Sequence, residues 1–184
     1  VAVLFVDLDR FKQINDTLGH PVGDEILKLA ANAMAAQLRG SDTIARVGGD
    51  EFIIVLERDV SSRSVGTVAR KLVEIFAHPF TVAGHELFLT ASIGISTFPG
   101  DGTDPDTLLK HADLAMYRAK EQGRNNFQYY EPALGAGALA RMRLENALRG
   151  AVQRGELSLV YQPQFRIASG DLVGMEALVR WEHP

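Results

Sequence analysis

A pair of glycines between two short apolar runs limits most strongly how this chain can fold. The segment reads TIARVGGDEFIIVLE, and the arms on either side of the glycines are rich in β-branched residues, which favour strands. Two glycines between such arms are typical of a tight turn, because glycine adopts backbone angles that other residues avoid. The pattern predicts a β-hairpin whose turn carries two adjacent acids, Asp50 and Glu51.

The start of the chain, VAVLFVDLD, predicts a strand of a different kind. Residues 1–6 are all apolar, as in a central strand that is buried on both faces, and the run ends abruptly at Asp7. Helical periodicity then begins near Phe11, breaks around Gly19, and resumes from about Gly23. The acids that follow the apolar run are therefore expected at the end of a buried strand.

Later segments continue the mixture of helices and strands. The features that show it are, in chain order, a helix stop at Gly40, a helix over about 61–77, two or three strands over 80–98 with a turn at Ala83–Gly84, and a helix from Pro105. At least two of the connections are hairpins, and there is no strict βαβ repeat. The order indicates an α/β (α+β) fold, in which a largely antiparallel central sheet is flanked by helices.

The charge balance and the absence of cysteine exclude several classes of function. The 184 residues include 19 Lys and Arg against 23 Asp and Glu, for a formal charge of −4. A long nucleic acid bound through its phosphates is therefore not expected. Without cysteine there is no disulfide framework, zinc–thiolate cluster or thiol nucleophile, which fits a reducing compartment, and we expect the cytoplasm.

The apolar runs are too short for a membrane span. They fall well below the roughly 20 residues that a membrane helix needs, so we expect no membrane contact in this chain. The chain opens at Val1 inside a strand-like run, without a basic leader or an initiator Met. We therefore expect a piece excised from a longer protein, which leaves open a membrane anchor in upstream regions.

Composition divides the chain into two parts. Residues 1–131 form the first predicted domain. Residues 132–138, PALGAGA, are small and poor in core formers, and they predict a flexible linker. Residues 139–184 then begin a second domain, with a helix over about 139–154 followed by two strands.

The acids of the first domain indicate a bound cation. Asp7 closes one strand while Asp50 and Glu51 occupy the hairpin turn, so pairing of these strands would bring all three to one sheet edge. Carboxylates this close repel each other unless something positive lies between them. Mg²⁺ suits such a site, because it binds oxygen ligands and keeps positions for water and phosphate oxygens. The alternative is a polar turn with exposed acids and no chemical role.

Several separated motifs in a fixed order resemble one family. RVGGDEF, the preceding DLDRFKQINDTLGH and GDE, and the later AMYRAKEQGRNNF are similar to the GGDEF family of diguanylate cyclases, from Val1 to about Glu131. The resemblance implies a palm-like fold, as in nucleotide polymerases and class III cyclases. It also implies a bacterial signalling enzyme in which two GTP-loaded domains face each other as a homodimer and form cyclic di-GMP and pyrophosphate. Family members usually carry a helix and a TGLPNR-like segment before this first strand, so we expect an N-terminally truncated domain.

The resemblance assigns the three acids to a metal site. It implies that Asp7 and Asp50 bind Mg²⁺, or Mn²⁺ in its place, through their side chains. The carbonyl of Leu8 would be a nearby backbone ligand. For Glu51 two roles stay open, a further metal ligand or the base that takes the proton of the 3′-hydroxyl.

The same resemblance implies where the nucleotide binds. Asn15 and Asp24 would read guanine, whose N1–H and exocyclic amine can both donate to a carboxylate. Lys120 and Arg124, four residues apart at the end of the last helix, would face the triphosphate, with Lys12 as a further phosphate contact. The alternatives are that the first pair caps helix ends and that the cations complement a helix dipole.

A short motif implies a second site. Residues 39–42, RGSD, match the R-x-x-D motif of product inhibition in this family, which ends five residues before GGDEF. Arg39 would bind guanine or phosphate of the product, cyclic di-GMP, and Asp42 a guanine edge. The alternative is an ordinary helix C-terminus with Gly40 as its cap.

The end of the chain resembles a second family. YQP and GMEALVRW are similar to the opening of EAL-type cyclic di-GMP phosphodiesterases, whose barrel is related to the TIM fold. The resemblance implies that Glu176 is a metal ligand and that Gln162 and Arg180 contact the dinucleotide. Because the later residues of such a site are outside this chain, we expect no phosphodiesterase activity from it, and an exposed strand edge and apolar face. The alternative is that residues 139–184 are an extra hairpin of the first domain.

Two rival functions stay open at this level. One is a receptor that binds GTP or cyclic di-GMP without catalysis, and the other is a palm-type cyclase that closes a single nucleotide on itself. The intact acids and cations favour a cyclase over a receptor, because a receptor does not need groups for metal and triphosphate. The identity of the product distinguishes one nucleotide from two.

Overall fold

The computed structural model describes residues 1–58 and 60–183, without the side chains of residues 136 and 138–143. The chain divides into two units, Val1–Gly135 and Ala136–Pro184. Its elements are, in order, β1 (Ala2–Asp9), α1 (Phe11–Leu18), α2 (His20–Ala35), β2 (Thr43–Gly48), β3 (Glu51–Leu56), α3 (Ser62–Ile75), β4 (Phe80–Val82), β5 (His85–Leu87), β6 (Thr90–Thr97), α4 (Pro105–Glu121), β7 (Asn126–Tyr129), α5 (Pro132–Arg149), β8 (Leu157–Phe165) and β9 (Leu172–Trp181).

The first unit is built on a five-stranded sheet in the order β2–β3–β1–β6–β7. β1 lies at its centre and pairs antiparallel with β3 on one side and with β6 on the other. β2 and β3 form the hairpin that the two glycines predict, whereas β6 and β7 run parallel. The prediction of a largely antiparallel central sheet flanked by helices is confirmed.

Helices on both faces of the sheet explain the unbroken apolar run of β1. Leu4 and Val6 lie in a large core with residues of α2 and α3. Val3 projects to the opposite face, where it packs against Leu108 and Ala112 of α4. Because both faces are covered, β1 lacks the apolar–polar alternation of a half-exposed strand.

The glycine at position 94 sets the distance between α4 and the sheet. A Cβ atom on Gly94 would lie 1.9 Å from the carbonyl oxygen of Ala112 and 2.1 Å from the amide nitrogen of Met116. Both are backbone atoms of α4, so the helix packs directly on the backbone of β6. This close packing fixes the position of α4 over the sheet, and with it the position of Lys120 in the last turn of α4.

The limits of α2 differ from the predicted ones. α2 begins at His20 instead of near Gly23, directly after Gly19, which has a φ of 87°. Pro21 lies in the first turn, where its missing N–H costs no hydrogen bond. The helix also ends earlier than predicted, at Ala35 rather than near Gly40, because the next residues form the i→i+3 hydrogen bonds of tight turns.

The predicted flexible linker is helical instead. Residues 132–138 form the start of α5, and the boundary between the two units lies inside this stretch. Pro132 occupies the first helical position, where proline is favoured. The alanines and the leucine that follow are strong helix formers, and their propensity outweighs that of two glycines.

Apolar side chains are exposed in the second unit. β8 and β9 form an antiparallel hairpin with a register shift after Gln164. Among its large side chains Tyr161 is 61% exposed and Met175 is 63% exposed. The described residues form no closed barrel, as expected for a segment that contains only the first strands of a barrel domain. In this described part of the chain no helix combines the length and hydropathy that crossing a bilayer would require.

Candidate active site

The pairing of β1 with β3 brings the three predicted acids together. Asp7 lies directly opposite Glu51 in the antiparallel register, so both side chains project from the same face of the sheet. The backbone N–H of Leu8 donates to the carbonyl oxygen of Asp50 at 3.2 Å, which holds the hairpin turn against the end of β1. The acids of the strand end and of the turn therefore share one edge of the sheet, as expected.

Asp7 is a buried carboxylate paired with a lysine. Its side chain is 9% exposed, and its Oδ2 lies 2.7 Å from Nζ of Lys120, which reaches it from the last turn of α4. Burial raises the pKa of Asp7 above its usual value, and Lys120 offsets part of this effect. The charges of Asp50 and Asp9 raise the pKa further. Negative charge therefore accumulates around Asp7, where a cation would be stabilised.

A fourth acid, which the sequence analysis missed, acts on the same edge. The pKa of Glu51 is raised chiefly by loss of hydration, and then by the charges of Asp7 and Asp113. Asp113 belongs to α4, and loss of hydration raises its pKa while Lys120 lowers it. A signal for it was present in the sequence, because residues 113 and 120 are about two helical turns apart and so share a face of α4.

The acidic edge is not a closed metal cage. Within the described ranges, no group of three or more His, Cys, Asp or Glu side chains could hold a metal ion by itself. The carboxylates of Asp7, Asp50 and Glu51 are nevertheless the kind of oxygen donor that Mg²⁺ prefers. Mg²⁺ commonly binds through one or two carboxylates and completes its shell with water and substrate phosphates. The residues fit a magnesium ion that binds together with a nucleotide better than one held by protein alone.

Asn15 has a buried acceptor without a protein partner. Its Oδ1 has no hydrogen-bond partner among the described residues, and an unpaired buried acceptor costs about 1–3 kcal/mol. Gly23 allows this packing, since a Cβ atom there would lie 1.9 Å from the same oxygen. The helix-capping alternative is not supported, because the N-cap of α2 is Gly19 and has no side-chain hydrogen bond. The amide oxygen of Asn15 is thus a buried acceptor that no donor among the described residues satisfies.

Asp24 lies in a cavity beside the hairpin. The cavity has a volume of about 380 Å³ and is lined by Asp24, Leu27, Lys28, Ala31, Arg46 and Phe52. Nε of Arg46 donates to the carbonyl oxygen of Gly49 at 2.9 Å, which braces the glycine turn. Asn15 is outside this lining, although it packs on Gly23, the residue before Asp24. The lining thus combines three apolar side chains with the cations Lys28 and Arg46 and with the carboxylate of Asp24, an acceptor that suits a planar base with donor groups.

Arg124 lies beyond α4 rather than on it. Gly123, Arg124 and Asn125 follow the end of the helix with φ angles of 107°, 62° and 51°. Lys120 and Arg124 are therefore not on one helix face, because the left-handed residues after α4 reverse the direction of the chain. That both contact the triphosphate stays a prediction. Arg124 still faces β1, since its Nε lies 3.7 Å from Oδ1 of Asp9, an acid to which the sequence analysis assigned no role.

A larger cavity, of about 720 Å³, extends from α1 to the turn that carries Arg124. Its polar lining includes Arg10, Gln13, Thr17 and Arg124. Lys12, the third predicted phosphate contact, is exposed on α1 and is not part of this lining. Arg10 precedes α1 at a φ of 61° and was missed as a candidate. The cavity therefore has two arginines in its lining, one at each side of the end of β1.

Arg39 and Asp42 lie together in a tight turn. The backbone N–H of Arg39 donates to Oδ2 of Asp42 at 2.9 Å. The alternative of a helix C-terminus capped by Gly40 is not supported, because α2 ends at Ala35. Both residues also line a cavity of about 430 Å³, and the other charged residues of its lining are Arg58, Arg63 and Lys71. Sequence reasoning missed these three cations, because they form no motif with Arg39. Four cations around one cavity suit a ligand that carries phosphate groups.

The residues of the second resemblance lie on the β8–β9 hairpin. Gln162 is directly opposite Glu176, so the two side chains share a face of the hairpin. Arg180 is paired with Ser158, and its guanidinium donates to the carbonyl oxygen of Val179 at 3.0 Å. Gln162, Glu176 and Arg180 are all exposed. The hairpin therefore presents on an open surface the three side chains for which the resemblance implies ligand contacts.

Comparison with known families identifies both units. The family model described as "Diguanylate cyclase, GGDEF domain" matches residues 1–126. The chain belongs to the GGDEF family. A second model, described as "EAL domain", matches residues 145–184, so the GGDEF domain is followed by an EAL segment, as the resemblance predicts. The alternative of an extra hairpin of the first domain is therefore wrong.

Two curated relatives align with the whole GGDEF–EAL chain. The bifunctional diguanylate cyclase/cyclic di-GMP phosphodiesterase MucR of Pseudomonas aeruginosa is 45% identical over 183 residues, which cover 100% of this chain and 27% of MucR. The cyclic di-GMP phosphodiesterase NbdA of the same organism is 40% identical over 184 residues, which cover 100% of this chain and 23% of NbdA. The chain thus spans about a quarter of the length of these relatives.

A solved structure shows the same fold. The crystal structure of the GGDEF domain of YfiN (TpbB) from Pseudomonas aeruginosa superposes with a TM-score of 0.69 at 40% sequence identity. The match covers 71% of this chain and 81% of that domain. The first unit is therefore a GGDEF domain in fold as well as in sequence, and it belongs to cyclic di-GMP signalling.

Proposed function

We propose that the GGDEF domain of this chain is a diguanylate cyclase that joins two GTP molecules. In each step the 3′-hydroxyl of one GTP attacks the α-phosphorus of the other. The new phosphorus–oxygen bond forms as the bond to the β-phosphate oxygen breaks, and pyrophosphate leaves with that electron pair. Two such steps give one cyclic di-GMP and two pyrophosphates. Because each domain binds one GTP, the active unit is a homodimer.

The observation that carries this proposal is the meeting of Asp7, Asp50 and Glu51 at one sheet edge beside Lys120. Asp7 and Asp50 would hold Mg²⁺, or Mn²⁺ in its place, together with the carbonyl oxygen of Leu8. An ion held there would lower the pKa of the attacking hydroxyl and neutralise phosphate charge. Loss of hydration and the charge of Asp7 raise the pKa of Glu51 above its usual value. Both roles of Glu51 stay open, a further ligand of the ion or the base that takes the proton of the 3′-hydroxyl.

Guanine recognition follows from two acceptors on neighbouring helices. The carboxylate of Asp24 lies in the cavity beside the hairpin, and the amide oxygen of Asn15 lacks a protein donor. Guanine offers N1–H and its exocyclic amine as donors, whereas adenine has no such pair on the corresponding edge. Binding of GTP would satisfy both acceptors and would therefore be preferred over ATP.

The triphosphate would bind between the ends of α1 and α4. Lys120 pairs with Asp7 in the free protein, and its long side chain would bind the phosphates of GTP. Arg124 lines the cavity of about 720 Å³, and Lys12 would add a cation from α1. GTP as substrate and the absence of cysteine agree with a cytoplasmic location, which we include in the proposal.

Mass spectrometry of the product tests the proposal directly. The chain and its Asp50→Ala variant are incubated with GTP and Mg²⁺ at high protein concentration. Cyclic di-GMP from the parent and none from the variant is the expected result, because the variant lacks a metal ligand. Cyclic GMP would instead establish a single-nucleotide cyclase, and GTP binding without any product would establish a receptor.

We propose no phosphodiesterase activity for the chain, since its described EAL residues form a hairpin and no barrel.

The cavity around Arg39 favours a regulatory site for the product. Its cations from three segments suit the two phosphates of cyclic di-GMP, and Asp42 would accept from a guanine. We expect Arg39→Ala to raise the cyclic di-GMP concentration that halves turnover by at least about tenfold, a loss of about 1.4 kcal/mol of binding. Initial rates at increasing added product measure this effect. Arg149→Ala is the matched control in the last turn of α5, and equal inhibition of both variants would contradict the site.

A further inference from the structure

The carboxylate of Asp9 joins two separate elements of the GGDEF domain. From β6, the hydroxyls of Thr90 and Ser92 donate to its oxygens at 2.6 and 2.8 Å. From the turn after α4, the backbone N–H of Asn125 donates at 3.3 Å, and Nε of Arg124 lies 3.7 Å away. The side chain of Asp9 is 1% exposed, so these groups replace its water.

The turn beside Asp9 has a conformation that its residues do not favour alone. Arg124 and Asn125 both have positive φ angles, 62° and 51°, where a Cβ atom crowds the backbone. Such residues persist only where surrounding contacts hold them. Asn126 supplies local contacts, since its Nδ2 donates to the carbonyl oxygens of Ala119 at 2.9 Å and of Arg124 at 2.8 Å. The contacts of Asp9 are the ones that tie this turn to the central strand.

We propose that Asp9 is a positioning residue, which holds the backbone of the Arg124 turn so that the arginine can bind the triphosphate. Asp9 lies two residues after Asp7 on β1, so it sets the position of Arg124 relative to the acidic edge. The Arg124 side chain is 48% exposed and lines the large cavity, while the backbone N–H of the next residue, Asn125, donates to Asp9. This inference deepens the proposed function and rests on it.

The role of Asp9 differs from that of Asp7. Each oxygen of Asp9 already has two partners, one from β6 and one from the turn. Asp7 instead faces Lys120, a long side chain that can move away. Loss of the Asp9 charge should therefore weaken nucleotide binding through Arg124 and leave the chemical step largely intact.

A double-mutant cycle tests this link. Affinity for a non-hydrolysable GTP analogue with Mg²⁺ is measured by calorimetry for the wild type, Asp9→Asn, Arg124→Ala and the double variant. Asparagine keeps the shape of the side chain, but one of the two carboxylate oxygens becomes an NH₂ group. This donor then faces the donors that had bound the replaced oxygen. We expect each single variant to bind about tenfold more weakly and the double variant to bind no more weakly than Arg124→Ala. The KM of Asp9→Asn should rise about tenfold while kcat stays within about twofold.

Two further measurements separate this inference from a general loss of stability. Hydrogen exchange should become faster at the amide of Asn125 in Asp9→Asn, and should not change in Asp104→Asn, which loses an exposed acid at the other end of α4. If Asp9→Asn does not fold, Ser92→Ala takes its place. This variant removes one hydrogen bond to the carboxylate of Asp9, so exchange at Asn125 should become faster to a smaller extent.

The outcomes that would overturn the inference are specific. Equal weakening by Asp9→Asn in the wild-type and Arg124→Ala backgrounds would show that Asp9 does not act through the arginine. Unchanged exchange at Asn125 would show that it does not hold the turn. A wild-type chain that binds no GTP analogue would overturn the proposed function itself, and the exchange measurement would still decide whether Asp9 holds the turn.

Discussion

Replacing Asp7 with asparagine is expected to lower the rate of cyclic di-GMP formation by about a thousandfold. Asparagine keeps the size of the side chain, but it removes the charge that a metal ion needs from its ligand. Asp7 lies opposite Glu51 in the sheet, at the edge where the ion would bind. In free energy the expected loss is about 4 kcal/mol of transition-state stabilisation. Product formed from GTP at saturating Mg²⁺, quantified by chromatography, measures it.

The same variant should remain folded. Burial raises the pKa of Asp7, so the folded chain binds a proton there more readily than the unfolded chain does. Ionisation of Asp7 therefore makes the folded state less stable as the pH rises through the raised pKa. The neutral amide of asparagine does not ionise, so it has no such effect. We expect the Tm of metal-free Asp7→Asn at pH 7 to equal or exceed that of the wild type, and the difference to shrink at acidic pH.

An acid at the other end of α4 provides the matched control. Asp104 is the N-cap of the helix and accepts a hydrogen bond from the backbone N–H of Thr107 at 2.9 Å. Asp104→Asn also changes an acid to an amide, yet it should leave turnover within about twofold, because an exposed residue away from the site has little effect. Activity of Asp7→Asn near the wild-type rate would contradict the metal role. A fall in its Tm would assign the lost activity to unfolding.

Placing a methyl group on Gly94 is expected to lower the free energy of unfolding by about 3 kcal/mol. The added Cβ atom of Gly94→Ala would lie 1.9 Å from the carbonyl oxygen of Ala112 and 2.1 Å from the amide nitrogen of Met116. These are backbone atoms of a helix, so relief requires α4 as a whole to move away from β6. A gap of even 1 Å along this contact would forfeit much of the dispersion energy of its buried side chains. Urea denaturation followed by circular dichroism measures the change.

A second glycine shows whether the effect is specific to the close contact. A Cβ atom on Gly40 would have no neighbour within 4 Å, and Gly40 is not among the residues of positive φ. Gly40→Ala should therefore change the free energy of unfolding by no more than about 0.5 kcal/mol. If both variants were equally stable, α4 would not pack on the backbone of β6. Because α4 also carries Lys120, Gly94→Ala should weaken GTP binding in any protein that remains folded.

The sequence predicts the parts of this molecule that depend on residues close together in the chain. The glycine pair with its β-branched arms specifies the hairpin of Asp50 and Glu51, because turn geometry is set within four residues. The apolar run before Asp7 specifies a strand covered on both faces. Element limits are less well predicted. The stretch 132–138 contains two glycines, yet the combined propensity of its other residues makes it helical.

Spacing along a helix also misleads where the helix has already ended. Lys120 and Arg124 are four residues apart, a spacing that lets two residues at the end of a helix face the same way. Gly123 allows a left-handed turn instead, so Arg124 reaches β1 by a different route. The opposite error concerns Asp113. It lies on the same face of α4 as Lys120, but it was overlooked because it belongs to no motif.

What the sequence by itself determines here is the family, the acidic turn and the strand that ends in acids, since each is encoded in a short contiguous segment. Only the tertiary structure decides what those acids contact. Asp9 meets Thr90, Ser92 and Asn125, which are 81, 83 and 116 residues away in the chain. These contacts depend on β1 lying between β3 and β6 and on α4 packing against Gly94. Strand order and helix packing are set by the burial of the whole core, and no local pattern of residues encodes them.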